Sequence, residues 1–596
     1  MEHQSICEII REAERNYTTG VVNRGKYVKW SMYDTLEKII AYHNSTHTTG
    51  SKDSLGRDKP FFNIGIAAVN IWYRATDIDR KDIGVMATKD TSALKALLAT
   101  IFLKDWMRRT KFGQFLNKWG RALAIFGSAV VKFVEKEGEL ICTVVPWRNF
   151  ICDPSDFDSG PRIEKFYRTP AQLRKNKSYD KKTIDALITS LTTRKNQDDT
   201  EKDALSKFIE LYEVEGDLPK ALLIDEDKRE EKDWEEYIWQ THTVSFNKTE
   251  NTEKPFDDFT LYKSTKATDS YMLTHLIEED DRTLGMGAIE TLFEPQWMMN
   301  HTVKNMKDTL DLSSMLLLQT ADGSFISRNV LNNMQTGEIM IHAKNSPLTK
   351  VDNSKSDITA LQNFAHQWQI LGQEVSATPE STRGITPPSG TPYSSVALLT
   401  NQSLSLFEIM VENKSLHLED MLRERIIPHI KKKMGNRDKI MAVLEDYQLK
   451  QVDAKYLPAK AIENYNERYK KEVLSGKIAQ PFNKEAEEAG IRGELDLMRN
   501  KRPFMPDKTW KEELKDLEWE FEINISGEPM DKSVMLQTLT TLFQTIVSVT
   551  KDPSNAEAIL NKILNITGII SPVELKSGGV VPQGGGQAQL QELNTK

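Results

Sequence analysis

The longest unbroken helical pattern constrains the fold most, because residues 395–434 contain no glycine and only one proline. That proline, Pro428, lies near the end of the stretch, so no residue before it interrupts a helix. At 1.5 Å per residue, the predicted helix is about 60 Å long. A helix of this length spans more than one small domain, and it therefore predicts a body of several domains.

A segment with four prolines and two glycines, residues 376–394, lies directly before this helix. Neither a helix nor a strand ladder continues through prolines at such a density. Loops of this length are usually functional or disordered. The sequence thus predicts a long loop that leads into the helix at 395–434.

A pair of helices precedes the loop. The first leads on from Gly285 and Gly287, and its apolar residues are alternately three and four apart, which is typical of helix packing. Its seam consists of Ile289, Leu292, Gln296, Met299, Val303, Met306 and Leu310, of which only Gln296 is polar. The second helix begins near Ser356. Its predicted inward residues are Ile358, Leu361, Ala365, Trp368 and Leu371.

A small module of short strands and turns separates these two helices. Residues 315–319 and 338–342 have strand-like patterns, and turns are predicted at Asp322-Gly323 and Thr336-Gly337. The module is therefore expected at the tip of the helical pair.

The first half of the chain combines helices with antiparallel strands. Residues 33–42 and 91–133 have helical patterns, and the period changes to two from Ala129 onward. A turn at Glu137-Gly138 followed by 140–145 predicts a β-hairpin. Further predicted elements are a helix at 184–191 and strands at 208–214, 221–224, 237–239, 243–246 and 521–526. The predicted fold class is α+β, mostly helical.

Length and charge exclude several classes of protein. At 596 residues the chain should form roughly three to five structural units. Its 79 basic and 87 acidic residues give a net charge of −8, so the whole surface is not that of a tight nucleic-acid binder. No stretch reaches the roughly 20 apolar residues that cross a bilayer, and no secretory signal opens the chain. We expect a soluble chain that acts where it is made.

The sequence shows no coherent catalytic site. The segment from Gly20 to Lys26 matches GxxxxGK, but Tyr27 replaces the magnesium-binding Ser or Thr, and no apolar strand precedes the loop. Gly285-Met286-Gly287 could open a helix towards an anion, although the third glycine of a dinucleotide motif is absent. A tight turn that begins a helix is the simpler interpretation.

Metal and nucleophile candidates are equally weak. His43 and His47 are four residues apart, but they lack an intervening Glu and lie in a loop-like stretch. The cysteines, Cys7, Cys142 and Cys152, form no CxxC pair and are expected in apolar surroundings. Acidic pairs such as Asp198-Asp199 and Asp280-Asp281 are expected in solvated turns. We therefore predict a protein that is not an enzyme and has neither a cofactor nor a metal.

Four stretches, in order, resemble parts of the portal proteins of tailed bacteriophages. The first, 116–154, is a helix and hairpin that ends in the turn from Val145-Pro146 to Asp153-Pro154. The second, TLGMGAIETLFEPQWMMN at 283–300, is similar to the family's turn and stem helix, with Leu284 and Met286 where an aromatic residue and Arg are common. The others are the module 313–355 between two helices and the loop 376–394 before the long helix. With the long helix, they lie between residues 116 and 434, in about half of the chain.

The resemblance implies a ring, usually of twelve subunits, around a central channel. The corresponding domains are a wing (1–286 and 395–526, with an insertion at 435–520), a stem (287–312 and 356–375), a clip (313–355), a tunnel loop (376–394), a crown (527–575) and a disordered tail (576–596). Long helices with three-four seams pack against a neighbouring copy, and such heterologous contacts close by rotation. The implied location is the portal vertex of a virion, after assembly in the host cytoplasm.

The same resemblance implies the functional residues and partners. The loop residues expected to contact double-stranded DNA are Thr378, Ser381, Thr382, Arg383 and Thr386. The clip residues expected to dock partners are Asp322, Gly323, Arg328, Asn332, Gln335, Lys344 and Lys350. The implied partners are the terminase large subunit, tail adaptor and head-completion proteins, and the major capsid and scaffolding proteins, with no membrane.

Two other classes stay open. A ring-forming structural adaptor of a tail or secretion assembly would share the long helices but would not need a clip between paired stem helices. An ATP-driven nucleic-acid motor would need the GxxxxGK segment, against which Tyr27 argues.

Overall fold

The computed structural model describes most of the first 314 residues and several later segments. The described residues are 4–19, 30–53, 56–78, 80, 83–87, 93–195, 208–225, 228–245, 259–314, 318–319, 349–350, 358–378 and 393–434, short pieces between 458 and 496, 521–525 and 540–541. The chain divides into two compact units. The first contains Met1–Ile83 and Lys104–His429, and the second contains Gly84–Leu103 and Ile430–Lys596.

Helices account for more of the described residues than strands do. The helices are α1 (Ile6–Thr19), α2 (Met32–His43), α3 (Gly65–Ala75), α4 (Ala93–Arg109), α5 (Phe112–Phe126), α6 (Pro170–Lys175), α7 (Lys181–Lys195), α8 (Glu231–Glu235), α9 (Phe293–Ser314), α10 (Ile358–Val375), α11 (Tyr393–Met421) and α12 (Ile427–Met434). The strands are β1 (Ile83–Ala87), β2 (Ser128–Lys136), β3 (Glu139–Val145), β4 (Phe150–Ile151), β5 (Arg162–Arg168), β6 (Ile209–Pro219), β7 (Tyr237–Ser245), β8 (Phe259–Thr265), β9 (Tyr271–His275), β10 (Leu318–Gln319), β11 (Thr349–Lys350) and β12 (Phe521–Ile525). These elements confirm the predicted α+β class.

A three-stranded antiparallel sheet of order β3-β2-β9 lies beside α5. Glu137 and Gly138 join β2 to β3 with φ angles of 55° and 74°. Positive φ at both central residues is the geometry of a type I′ turn, whose twist matches that of the strands. The predicted hairpin is therefore confirmed.

The helix α5 is anchored on this sheet by its aromatic face. Phe112, Phe115, Trp119 and Leu123 recur every three or four residues and are buried. The indole nitrogen of Trp119 donates to Thr274 Oγ1 on β9 at 2.9 Å. A helix with one apolar face buries that face against a neighbouring element, so α5 has its polar face towards solvent.

A five-stranded antiparallel sheet has the order β4-β5-β6-β7-β8. Its core includes Leu173 of α6, Leu187 of α7 and Leu211 of β6, so the two helices cover one face. The predicted helix at 184–191 extends to Lys181–Lys195. The strand predicted at 208–214 is confirmed and continues to Pro219.

Other strand predictions in this sheet were wrong. Residues 221–224 are not a strand, since Lys220–Leu222 form a 3-10 turn immediately after Pro219. Residues 237–239 and 243–246 were predicted as separate strands, whereas Tyr237–Ser245 is one strand. The polar residues between them are buried in the sheet, where Gln240 Nε2 donates to the Leu218 carbonyl at 2.6 Å. Hydrogen bonds that satisfy buried polar groups hide a strand from hydropathy analysis.

The long predicted helix is present as α11 and α12, joined by a π-helical turn at Leu422–Ile426. Pro428 follows that turn. A proline ring clashes with the carbonyl four residues earlier, here that of Glu424, and a widened turn absorbs the clash.

In the second unit, residues 521–526 were predicted to form a strand, and Phe521–Ile525 confirm it as β12, which pairs with β1. The region 435–520 is described only in short pieces between 458 and 496. The segment 527–575, except Thr540 and Thr541, and the tail 576–596 lie outside the described residues.

Candidate functional site at the paired helices

Two segments of backbone cross in direct contact just before the helical pair. A Cβ atom added to Gly285 would overlap the Ile277 carbonyl oxygen, and one added to Gly287 would overlap the Ile125 carbonyl oxygen. Gly127, at a φ of 73°, faces the backbone of Met286 in the same way. Only glycine fits where backbones approach so closely. The crossing thus fixes where the chain enters the helical pair.

This crossing corrects the prediction that a helix opens at Gly287. The helix α9 begins at Phe293, six residues later, so Ile289 and Leu292 lie ahead of it rather than in its seam. The amide of Gly285 donates to Ser128 Oγ at 3.1 Å, and the amide of Ala288 donates to the Ala124 carbonyl at 3.0 Å. These groups are therefore used within the chain rather than at a helix end that faces an anion.

The polar residue in the predicted seam holds α9 against the segment before α3. Gln296 is 2% exposed. Its Oε1 accepts from the Ile64 amide at 2.9 Å, and its Nε2 donates to the Phe62 carbonyl at 2.6 Å. Asn300 Oδ1 accepts from the Phe62 amide at 3.0 Å. The two amide side chains thus bond the backbone of Phe62 and Ile64 as a neighbouring strand would. They hold the start of α9 in place.

The helices α9 and α10 are antiparallel neighbours. Gly372, near the end of α10, lies beside Pro295 and Leu292 at the start of α9. At the opposite end, β10 follows α9 and pairs antiparallel with β11, which precedes α10. The register joins Leu318 to Lys350. The chain therefore leaves along one helix and returns along the other.

The end of α10 is tied to α3. The indole nitrogen of Trp72 donates to the Ser376 carbonyl at 2.8 Å, and Ser376 Oγ lies 2.7 Å from Thr378 Oγ1. Thr378 is 3% exposed, and its amide donates to the Gln373 carbonyl at 2.9 Å. Thr378 is thus part of a buried anchor from which the predicted tunnel loop departs.

Most of the residues proposed for the loop and the clip lie outside the described residues. These are Ser381, Thr382, Arg383 and Thr386 of the loop, and Asp322, Gly323, Arg328, Asn332, Gln335 and Lys344 of the clip. Lys350 lies in β11, next to the chain's return into α10. The described residues therefore bring Thr378 and Lys350 to opposite ends of α10.

The helix α11 is fixed by a buried lysine that sequence patterns did not identify. Lys414 is 1% exposed, and its Nζ donates to the carbonyl of Thr76, the C-cap of α3, at 2.5 Å. The same Nζ lies 5.4 Å from the centre of the Trp119 ring. A cation at a helix C-terminus and over an indole face is stabilised electrostatically. Burial nevertheless lowers the pKa of Lys414 to about 8, although the negative charge of Asp77 acts to raise it.

A histidine pair links β9 to α11. The rings of His275 and His417 are 6.1 Å apart. Burial, followed by the charge of His417, lowers the pKa of His275 to about 4, and burial also lowers the pKa of His417. Both imidazoles are therefore neutral at pH 7, and the contact depends on their staying so.

Apolar side chains remain exposed on the helices of this region within the single chain. They are Trp297 (52%), Leu310 (49%), Phe364 (41%), Ile370 (38%), Leu371 (46%), Val375 (61%), Ile409 (67%) and Leu416 (53%). Leu371 was predicted to face inward, and this prediction was wrong, because α10 packs on α9 through Ala365 and Gly372 instead. These eight are among the 18 exposed large apolar side chains of the described residues, and exposed apolar surface of this kind is suited to an interaction.

The cysteines and histidines considered as candidate nucleophiles or metal ligands lie in surroundings that indicate a structural role. Cys7, Cys142 and Cys152 are buried free thiols, and burial raises the pKa of Cys142 and Cys152. His47 Nε2 lies 3.2 Å from the Pro60 carbonyl, and burial lowers the pKa of His43. No group of three or more His, Cys, Asp or Glu among the described residues is arranged to hold a metal.

The acidic pairs, the GxxxxGK segment and the membrane-spanning stretches were the other features considered in the sequence. Asp280 and Asp281 are exposed, as predicted for a solvated turn. The GxxxxGK segment at 20–26 and the pair Asp198-Asp199 lie outside the described residues. Within the part of the chain that is described, no helix is both long and apolar enough to span a membrane.

A scan against protein-family models and a search of curated proteins found no match for this chain.

Proposed function

We propose that the chain is a phage portal subunit, one of a ring of copies that forms a DNA channel at one vertex of a capsid. One observation carries the proposal: α9 and α10 form an antiparallel pair that is anchored at one end and closed by paired strands at the other. The long α11 follows the segment 379–392. This order of elements resembles stem, clip, tunnel loop and wing.

The exposed helical surface supports a ring. Portal-type stems pack side by side, so each copy should cover apolar side chains of its neighbour. Val375 and Ile409 are 61% and 67% exposed in the single chain. A heterologous contact of this kind closes into a ring when the rotation between copies allows it.

In this proposal the channel conducts double-stranded DNA during packaging, retention and ejection. The net charge of −8 suits a conduit, because many phosphate contacts would release counterions and hold the DNA tightly. Arg383 and the hydroxyl residues of the loop would touch the DNA briefly, with Thr378 in the anchor beneath them. The protein itself would have no enzymatic activity or cofactor.

The clip would dock the terminase large subunit during packaging and tail adaptor or head-completion proteins afterwards. Major capsid and scaffolding proteins would be partners of the ring during assembly. Within the described residues, Lys350 of β11 marks where this surface begins.

Electron microscopy with mass photometry of the purified full chain tests the proposal. We expect rings with a central hole and a mass about twelve times 68.1 kDa. If the chain alone stays monomeric, it is co-expressed with capsid and scaffolding proteins, and rings are then expected at one vertex. Discrete dimers that hydrolyse ATP, or particles without the chain at a vertex, would overturn the portal assignment.

A further inference from the structure

A basic cavity lies between the end of α3 and the start of α5. Its volume is about 570 Å³. Its cationic lining residues are Arg80, Arg108 and Lys111, and Gln114 and Asn117 add amide groups. Among the described residues that line it, Asp77 is the only acid. The lining therefore carries a local excess of positive charge, although the chain as a whole has a net charge of −8.

The polar face of α5 extends the basic surface beyond the cavity. Lys111, Gln114, Lys118 and Arg121 are exposed and lie on one face of the helix, at spacings of three, four and three residues. Residues 111–126 contain no Asp or Glu. At 1.5 Å per residue, the face runs about 15 Å from Lys111 to Arg121.

The start of α5 adds to the positive potential. Lys111 is the N-cap in a left-handed conformation, and no side chain caps the helix there. A Cβ atom added to Gly113 would meet nothing within 4 Å, so the first turn is open to the cavity. The positive end of a helix dipole attracts anions, and here it lies among three cationic side chains.

Exposure favours an extended ligand over a small enclosed anion. The side chain of Arg108 is 78% exposed, although it shares Asp105 with Arg109. A site for one small anion would enclose its cations away from water. A row of solvated cations instead neutralises a chain of phosphates and releases the counterions of that chain. The length of the face also exceeds that of a single phosphate.

We propose that this surface, formed by Arg80, Arg108, Lys111, Lys118 and Arg121, binds the phosphodiester backbone of nucleic acid without sequence preference. The surface is complete within one chain and lies outside the predicted tunnel loop. It therefore does not depend on ring formation, and the proposed function and this site can fail separately.

Fluorescence anisotropy of the full chain with a labelled duplex of about 20 base pairs tests the site between about 50 and 200 mM salt. The test variant is R80Q/R108Q/K111Q. We expect its plot of log K against log salt to be less steep by about 2–3, with the affinity reduced at least about tenfold at the lowest salt. A second variant, K118Q/R121Q, should lose affinity in the same direction.

The matched control is K175Q/K177Q/K181Q, which removes the same charge from three exposed lysines in and before α7. We expect the control to bind like the wild type. Equal loss in the control, or wild-type binding by both test variants, would overturn the site. Displacement of the duplex by inorganic phosphate at matched ionic strength would overturn the backbone assignment, because it would show a site for a single phosphate.

Discussion

Single residues decide how the chain enters the paired helices and how the long helix is held. Three glycines permit the backbone crossing of 125–127 with 285–287. Lys414 joins α11 to the end of α3 from a fully buried position. Both features are local, and both can be altered by one substitution.

Gly285→Ala should destabilise the first unit. Its methyl group would overlap the Ile277 carbonyl, and because that group is backbone, the segment after β9 must shift. Overpacking of this kind typically costs about 1–3 kcal/mol. The measurement is the urea midpoint of the full chain by circular dichroism.

The control for this prediction is Gly113→Ala, where the added methyl group meets nothing within 4 Å and the backbone is helical. The control should match or slightly exceed the wild type, since alanine favours helix. Equal midpoints for the two variants would contradict the steric account.

Lys414→Met should remove one pH dependence of stability. The pKa of Lys414 is about 8 in the fold against a usual value of 10.5, so between these values the unfolded chain binds a proton that the folded chain lacks. The contribution of Lys414 to stability should therefore increase with pH across this window by roughly 3 kcal/mol. Relative to the variant, the wild type should become more stable as the pH rises, as judged by urea unfolding of both proteins from pH 7 to 10.

Lys118→Met is the matched control, because Lys118 is exposed on α5. Its unfolding profile should follow that of the wild type through the same window. A profile for Lys414→Met that stays parallel to that of the wild type would show that the buried ammonium does not contribute this dependence.

At the scale of elements, the contact between β9 and α11 makes the fold sensitive to acid. His275 and His417 face each other there, and the charged groups nearby include Glu278, Arg282, Asp420, Glu424 and Arg425. The pKa of His275 is about 4 in the fold and 6.5 ordinarily. Because the unfolded chain takes up the proton first, this contribution to stability is present above pH 6.5 and lost as the pH falls to about 4.

His275→Asn should reduce this acid sensitivity by up to about 3 kcal/mol between pH 6.5 and 4. Urea unfolding of the wild type and the variant at several pH values in that window measures the difference. His301→Asn, on the exposed face of α9, should keep the wild-type dependence. An unchanged slope in His275→Asn would exclude His275 as its source.

Elements with a clear periodicity could be predicted, and elements with mixed patterns could not. The helix at 33–42 and the hairpin after Ala129 were found because their apolar periods are regular. The strand β5, with the sequence RIEKFYR, was missed because its charged residues are paired across the sheet, as in Lys165 Nζ with Glu210 Oε1 at 2.8 Å. Pairing of this kind depends on a strand more than forty residues away in the chain. A local sequence pattern holds no information about that strand.

For the whole molecule, the exposed apolar side chains of the paired helices and α11 are the surface that the proposed ring would use. They are solvent-facing in the single chain but lie on the elements that a neighbouring copy would contact in a ring. A ring would therefore explain why these side chains are apolar.

Val375→Asp together with Ile409→Asp should abolish rings while leaving the subunit folded. The substitutions place charges on the proposed contact, whereas exposed substitutions usually change stability by no more than about 0.5 kcal/mol. Mass photometry should then show monomers with an unchanged urea midpoint. Tyr237→Asp, on a side chain that is 59% exposed in β7, is the control and should still form rings. Rings with the double variant would exclude this face.

The sequence by itself determined the α+β class, the helical pair, the long helix and the hairpin, because these follow from periodicity and from the positions of proline and glycine. Tertiary structure alone decided that α9 begins at Phe293, that Thr378 lies in a buried anchor and that Lys414 is buried. The physical reason is that burial and backbone approach depend on residues far apart in the chain. The same holds for the basic surface, since Arg80 and Lys111 come together only when α3 and α5 pack.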